Sequence, residues 1–492
     1  MFASLQGGEK SYLRLFEAIE KMDHYDEAKI RKMFAEEDFV KRLPAVKNYL
    51  YRQILKSLRV SYAGNTVHSR LKDMMEELSI LYEKRLYRQC EKLLRKAKEL
   101  ARSNEYILQQ MEINLWEQKI QMEVTDIEKF GKTLETSLNE ELKLIALQEN
   151  AVQYRNLYNR IVLLNKTLKE ARTTEELEPF QEIINHPLMQ SVSTAKSFDA
   201  KYCFYQVHLI YNHAKGDNRA CWGIARQQMT LLEQFPHRID ETPKVYVTIL
   251  NNILLGHIHV HDYDGFDKTL VKLRAFPIKS LNIEVNRFVN SYTFEMVMYL
   301  DTGEFDKSAA IREDITAGLE KYSDKLNAIE EITLLYNLFY SYFGTGEFQK
   351  ALAIINKLLN EYQKELRYDV QSAVRILNLI LHYELKNASL LEYNAISAYR
   401  FLYKSKRLYK LENIVLNFIR KKMNRIRTPK DEIEAFIELR KEFLELSEHP
   451  YEKKALEYFD YISWLDSHIQ RRSFEAIVRE KFLLRKKRSG NE

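Results

Sequence analysis

Residues that let a chain reverse are scarce in this sequence. Its 492 residues include 13 Gly and 8 Pro, so the two together make up about 4%, where an average globular chain has about 12%. Sheets, β-hairpins and the βα units of nucleotide-binding folds need such residues at every reversal. The shortage argues against sandwiches, barrels and doubly wound α/β domains. An apolar fraction of 45% is enough for a large core, which separates the chain from disordered polymers. The expected fold class is all-α.

Cys90, Cys203 and Cys221 are odd in number and widely spaced, which suits neither a disulfide framework nor a zinc ribbon. Residues 1–10 have no apolar centre of the kind a signal peptide carries. No run of about 18 apolar residues occurs that could span a bilayer. A cytoplasmic location is therefore expected. Length alone suggests about three domains, but a repeat array can run this far as one body.

The few glycines recur in a pattern. Leu335-Tyr336-Asn337-Leu338 is followed by Gly346-Glu347-Phe348, then by Ala351 and Ile355. This is an amphipathic helix, a glycine turn, an aromatic residue two places on, and a small residue three after that. The small residue lets two antiparallel helices approach, and the aromatic fills the space beside the turn. The frame recurs at Gly303-Glu304-Phe305 with Ser308, and at Asp264-Gly265-Phe266 with Thr269. Fainter copies lie at Gly216 with Cys221 and at Asn387, and an early one at Leu86-Tyr87 with Cys90, Leu94 and Ala97.

This spacing resembles that of the tetratricopeptide repeat (TPR) family. Gaps between turns of 48, 39, 43 and 41 residues, counted from 216 through 264, 303 and 346 to 387, exceed the 34 of that family. The family's aromatic near the start of the first helix is Leu335 here, its small mid-helix residue is Phe339, and its closing proline is missing. The resemblance covers about residues 200–410. It implies a TPR-like superhelical array of antiparallel helical hairpins with lengthened helices. The Tyr- and Lys-rich style also resembles that of large TPR-like proteins from Bacteroidetes-type bacteria.

Three regions are expected: short helices over 1–72, long-helix hairpins over 73–175, and the repeat array over 176–492. In the first, Val46, Leu50, Ile54 and Leu58 form an apolar stripe. In the second, residues 104–172 contain Gly131 and no proline and read as two long antiparallel helices. Leu134, Leu138, Leu142 and Ile145 are expected in the seam between them. Glu141, Gln148 and Arg155 interrupt the heptad, which favours core packing over a long coiled coil. Pro179 and Pro187 mark 175–199 as a boundary. A last hairpin is expected to close near His449-Pro450-Tyr451.

Chemistry is sparse. His257, His259 and His261 form a metal-like cluster, but on a helix only His257 and His261 share a face. With Asp264 they would make an incomplete site, so structural histidines are expected and no metal is assigned. No glycine-rich phosphate loop, nucleophile elbow or Cys–His pair is present. No catalytic residue is assigned, no cofactor is expected, and the chain is not read as an enzyme.

Charge is polarised within a net +6. Residues 39–72 carry +8, residues 400–430 carry +10 and residues 479–488 carry +5, which leaves the rest at −17. Arg52, Lys56 and Arg59 lie opposite the apolar stripe of their helix. Tyr399, Tyr403 and Tyr409 interleave with cations, and Arg420, Lys421, Lys422 and Arg425 follow. Such surfaces suit nucleic acid, anionic lipid or an acidic partner; solvated helix faces and cations complementing a helix C-terminus explain them as well.

The TPR resemblance implies that certain first-helix positions face a concave groove that holds peptides. Here these are Thr333, Tyr336, Asn337, Tyr340 and Phe343. The preceding unit gives Asn290, Thr293, Val297 and Leu300, and the next Val374, Leu377, Asn378 and Leu381. The cations of a carboxylate clamp are absent, so the groove suits an amphipathic helix or an extended apolar peptide, unless the lengthened helices fill it themselves. The expected function is a non-enzymatic protein- or peptide-binding scaffold. The alternative is a regulatory or nucleic-acid-associated repeat protein using the basic zones 39–72 and 400–430.

Overall fold

The structure, a computed structural model, describes residues 11–22, 24–62, 66–124, 127–168, 174–277, 280–362, 368–404, 409–422, 426, 428–448, 456 and 458–489. All regular secondary structure among them is helical. The first helices are α1 (Ser11–Glu20), α2 (Glu27–Met33), α3 (Leu43–Tyr62), α4 (Val67–Glu83), α5 (Tyr87–Ser103), α6 (Ile107–Val124), α7 (Ile127–Leu168) and α8 (Thr174–Ile184). Next come α9 (Phe198–Lys215), α10 (Asn218–Glu233), α11 (Pro236–Glu241), α12 (Pro243–Val260), α13 (Phe266–Ala275), α14 (Leu281–Thr302), α15 (Phe305–Ala310) and α16 (Arg312–Lys321). The last eight are α17 (Ala328–Gly344), α18 (Phe348–Glu361), α19 (Tyr368–Glu384), α20 (Ala388–Lys404), α21 (Lys410–Asn417), α22 (Pro429–Ser447), α23 (Tyr461–Gln470) and α24 (Phe474–Ser489). None of the described helices is long and apolar enough to cross a membrane.

The chain divides into two compact units. One comprises Met1–Asn159, Pro187–Phe204 and Glu233–Thr242; the other comprises Arg160–His186, Tyr205–Leu232 and Pro243–Glu492. Helix α4 runs through position 72, where the sequence reading ends its first region.

Helix ends follow local chemistry. Asn327 accepts from the Glu330 N–H while Glu330 accepts from the Asn327 N–H, a capping box that starts α17. Thr428 and Asp431 do the same for α22, with Pro429 at its first position. Eight described turns share one exit. Arg85, Glu105, Gly216, His261, Gly303, Gly346, Lys386 and Arg471 all have φ between 51° and 77°. In each, the following residue donates its N–H to the carbonyl five places back, as in Glu347 to Tyr342 (2.9 Å), Asn387 to His382 (2.9 Å) and Asp262 to His257 (3.1 Å).

The expected turn at Asp264-Gly265 is present, with the Phe266 N–H on Tyr263 O (3.1 Å) and Gly265 as the left-handed N-cap of α13, but α12 already ends one turn earlier, at His261. Measured on the left-handed residues 216, 261, 303, 346 and 386, the gaps become 45, 42, 43 and 40 residues, a more even spacing than the glycines suggested. Non-glycine residues in this conformation cost about 1–2 kcal/mol each, which the paired turn hydrogen bonds offset.

Packing within the hairpins uses the aromatic and small residues of the repeated frame. Phe305, Ser308, Ala351 and Ile355 are fully buried. Phe305 rests on Gly344 so closely that a Cβ there would lie 1.8 Å from its ring. Arg312 ties α16 to α17, its Nε donating to Ser341 Oγ (2.8 Å) and its Nη2 to Ser341 O (2.8 Å) and Thr345 Oγ1 (2.7 Å). The largest core, in the second unit, runs through Met296, Leu334, Phe339, Val374, Leu377 and Phe436. In the first unit, smaller cores lie around Leu15, Ile30 and Leu43 and around Leu71, Leu78 and Cys90. On α3, Leu50 is buried and Val46 and Ile54 pack beside it, while Leu58 is exposed.

The expected seam of the long hairpin is a second correction. Leu134, Leu138, Leu142 and Ile145 are all exposed, and α7 turns Leu144, Ala151, Tyr154 and Leu157 inward. The line where α6 meets α7 is polar: the Asn114 amide donates to Ser137 O (2.9 Å), and Ser137 Oγ donates back to Asn114 Oδ1 (2.6 Å). The reversal expected at His449-Pro450-Tyr451 lies outside the described residues.

Candidate functional site

The candidate groove residues lie on α17, at the centre of the largest core. Asn327 and Glu330 fix the start of this helix, and Gly346 releases the chain after it. At i, i+4 and i+7, Tyr336, Tyr340 and Phe343 come onto one stripe. A segment of the same chain lies against it. The Tyr336 hydroxyl donates to the carbonyl of Tyr458. The Asp460 N–H donates to the Tyr340 hydroxyl at 3.1 Å.

Between these two bonds, the Phe459 ring sits 5.3 Å from Tyr340, 4.9 Å from Phe343 and 5.7 Å from Phe474. Burial pushes both Tyr336 and Tyr340 well above the ordinary phenol value, so each hydroxyl acts as a neutral hydrogen-bonding group. Asn337 is buried with its Nδ2 unpartnered. Thr333 turns its hydroxyl back to Ile329 O on its own helix (2.8 Å). Among the five candidate residues, Tyr336, Tyr340 and Phe343 converge on one aromatic peptide, while Thr333 and Asn337 do not join it.

The rest of the covering segment is anchored by charge. Asp460 caps α23 by accepting from the Ser463 N–H (2.8 Å). Glu384, at the end of α19, accepts from Trp464 Nε1 (2.5 Å) and from His468 Nε2 (2.7 Å). Asp466 accepts from Arg440 (2.5 Å) and Lys481 (2.9 Å). Asp301, on α14, takes the His261 ring (2.8 Å), the Tyr263 hydroxyl (2.8 Å) and Arg485 of α24 (3.2 Å). Burial opposes ionisation there, but the His261 hydrogen bond, with Arg485 and Tyr263, holds the Asp301 carboxyl below its ordinary value. Gly303 brings α14 to α24, since a Cβ there would lie 2.5 Å from the Arg479 backbone nitrogen.

In the flanking units, Leu300, Val374, Leu377, Asn378 and Leu381 are buried. A cleft of about 490 Å³ opens beside this segment, lined among others by Thr345, Glu384, Glu432, His468 and Arg471. Two of its carboxylates are engaged: Glu384 as above, and Glu432 by the Tyr383 hydroxyl.

The histidines separate. His257 is buried against Trp222, with Nδ1 2.5 Å from Asp262 O, and burial lowers its pKa, which leaves it neutral near pH 7. His261 faces Asp301 instead. No group of three possible metal ligands occurs among the described residues.

The basic candidates also divide. Arg52 and Lys56 are exposed on α3, and Arg59 pairs with Glu76 at 3.0 Å. Arg420 lies 5.2 Å above the Tyr399 ring, which stacks on Tyr403. Only the backbone of Lys421 and Lys422 is described, and Arg425 lies outside the described residues.

Sequence reasoning missed Tyr458, Phe459 and Asp460 as groove residues. The only signal was the aromatic run Tyr458-Phe459-Asp460-Tyr461, which periodicity does not pair with a helix about 120 residues earlier. No protein-family model, curated protein or solved structure matches the chain.

Proposed function

We propose that this protein is a non-enzymatic scaffold that binds a protein or peptide on a TPR-like array of helical hairpins. The supporting observation is the way α17 holds residues 458–460. Two tyrosine hydroxyls engage the main chain of a short aromatic segment, and one ring, Phe459, fills the pocket between them. Main-chain hydrogen bonds plus one buried anchor are how peptide-binding surfaces recognise short segments. An external partner for this surface presents an aromatic segment with an acidic residue that starts a helix, and it competes with the chain's own segment.

A titration tests this. Phe459→Ala in the full-length chain removes the anchor in cis, and a fluorescent synthetic peptide of residues 456–470 supplies it in trans. The variant should bind the peptide at least tenfold more tightly than the wild type, and adding Tyr340→Ala should abolish the gain. Absence of binding by a Phe459→Ala chain that keeps its helicity removes the support for this reading. The basic zones give the nucleic-acid alternative less support, because Lys47 is engaged with Glu27 (2.6 Å), Arg59 with Glu76 and Arg420 with Tyr399.

A further inference from the structure

Helix α6 and the part of α7 up to Asn159, both in the first unit, carry a wide apolar face that stands exposed among the described residues. Its position follows from three sets of contacts. Lys98 of α5 reaches Glu117 of α6 (2.5 Å) and Glu140 of α7 (3.3 Å), so residues 117 and 140 mark the side toward α5. Asn114 and Gln118 meet Ser137 and Glu141 (2.6–3.3 Å), which marks the line between the two helices.

At 3.6 residues per turn, the next sector of α6 away from α5 holds Leu108, Leu115 and Met122. The corresponding sector of α7 holds Leu138, Ile145 and Val152, flanked by Leu134 and Leu142. Residues 117, 118 and 115 follow one another around α6 as 140, 141 and 138 do around α7. The helices run antiparallel, so these matching orders place both sectors on one outer face. All eight side chains are 38–65% exposed.

From this geometry we infer that the face is the contact between two copies of this chain. Three features select a second copy as the occupant. The seven-residue spacing 108, 115, 122 on α6 equals the spacing 138, 145, 152 on α7, so the two-helix layer can interlock with another of the same kind. The eight side chains present on the order of 700 Å² per copy, close to the roughly 800 Å² that each partner gives to a standard interface. A monomeric surface seldom leaves an apolar patch above about 300–600 Å². Exposed Glu112, Lys119 and Glu135 border the patch, giving the polar rim of mixed sign that such interfaces have.

Light scattering coupled to size-exclusion chromatography on the full-length chain reads the assembly directly. The wild type should run at twice the monomer mass at tens of micromolar and dissociate on dilution. Leu138→Glu/Ile145→Glu should hold the protein at the monomer mass throughout, with unchanged helicity. Should the double variant lose helicity, the milder Leu115→Gln reads the same equilibrium, with dissociation shifted at least tenfold in concentration. A wild type that stays monomeric over this range overturns the inference. So does a dimer whose mass and dissociation these substitutions leave unaltered.

Discussion

Two apolar helix faces in this chain are finished in opposite ways. On α17, Tyr336, Tyr340 and Phe343 are covered by a segment 122 residues further along the sequence. On α6 and α7, leucines at equally regular spacing stay in solvent. Both faces read identically as periodic apolar stripes. Periodicity establishes that a face is apolar, while topology decides what covers it. A face closed in cis contributes to the stability of its own unit; a face left open contributes nothing until something docks.

Substitutions can break or sharpen this contrast. The largest effect is expected at the closed face. Phe459, fully buried among Tyr340, Phe343 and Phe474, should cost about 3–5 kcal/mol when replaced by alanine, seen as a lower urea midpoint for the second unit. An effect under about 1 kcal/mol would mean that the segment is only loosely held. Gly344→Ala forces a methyl into the Phe305 ring and should cost about 1–3 kcal/mol by the same measurement.

A smaller effect depends on pH. Glu347 is lowered from 4.5 to about 2, by Lys350 first and then by Arg312. A carboxyl depressed in the folded state contributes stability that is complete above its ordinary value and is lost as pH falls through the folded value. The wild type should therefore lose stability between about pH 4.5 and pH 2 more steeply than Glu347→Gln does. Partial exposure of Glu347 keeps the difference modest. Equal slopes would show that the Arg312 and Lys350 contacts are not maintained in solution.

The smallest effect is expected at the open face. Leu138→Ala, measured in dilute protein, should change stability by less than about 0.5 kcal/mol. Leu144→Ala, on the buried side of the same helix, should cost about 2–5 kcal/mol. If the two cost the same, the outward sector of α7 has been misassigned.

Much of this architecture was legible because helices announce themselves locally. The Gly303 and Gly346 turns, the aromatics at 305 and 348 and the small residues at 308 and 351 act within one hairpin, and the sequence carries all of them. The His261 turn was missed because a histidine there adopts a conformation usually left to glycine, and nothing local marks that exception. The seam between α6 and α7 was misread because Asn114 and Ser137 satisfy each other across it, a polar contact that no apolar pattern signals. The covering segment was invisible for a third reason. Phe459 and Phe343 are far apart in sequence, and their contact depends on how the intervening helices stack.

Hydroxyl-radical footprinting of the full-length chain across a dilution series, read by mass spectrometry, tests the contrast most directly. Tyr340, Phe343 and Phe459 should stay protected at every concentration, while exposed Tyr403 reacts freely. Leu115, Met122, Leu138 and Ile145 should react in dilute protein and become protected as concentration rises. Labelling of Tyr340 and Phe459 as fast as Tyr403 would contradict a groove closed by its own chain.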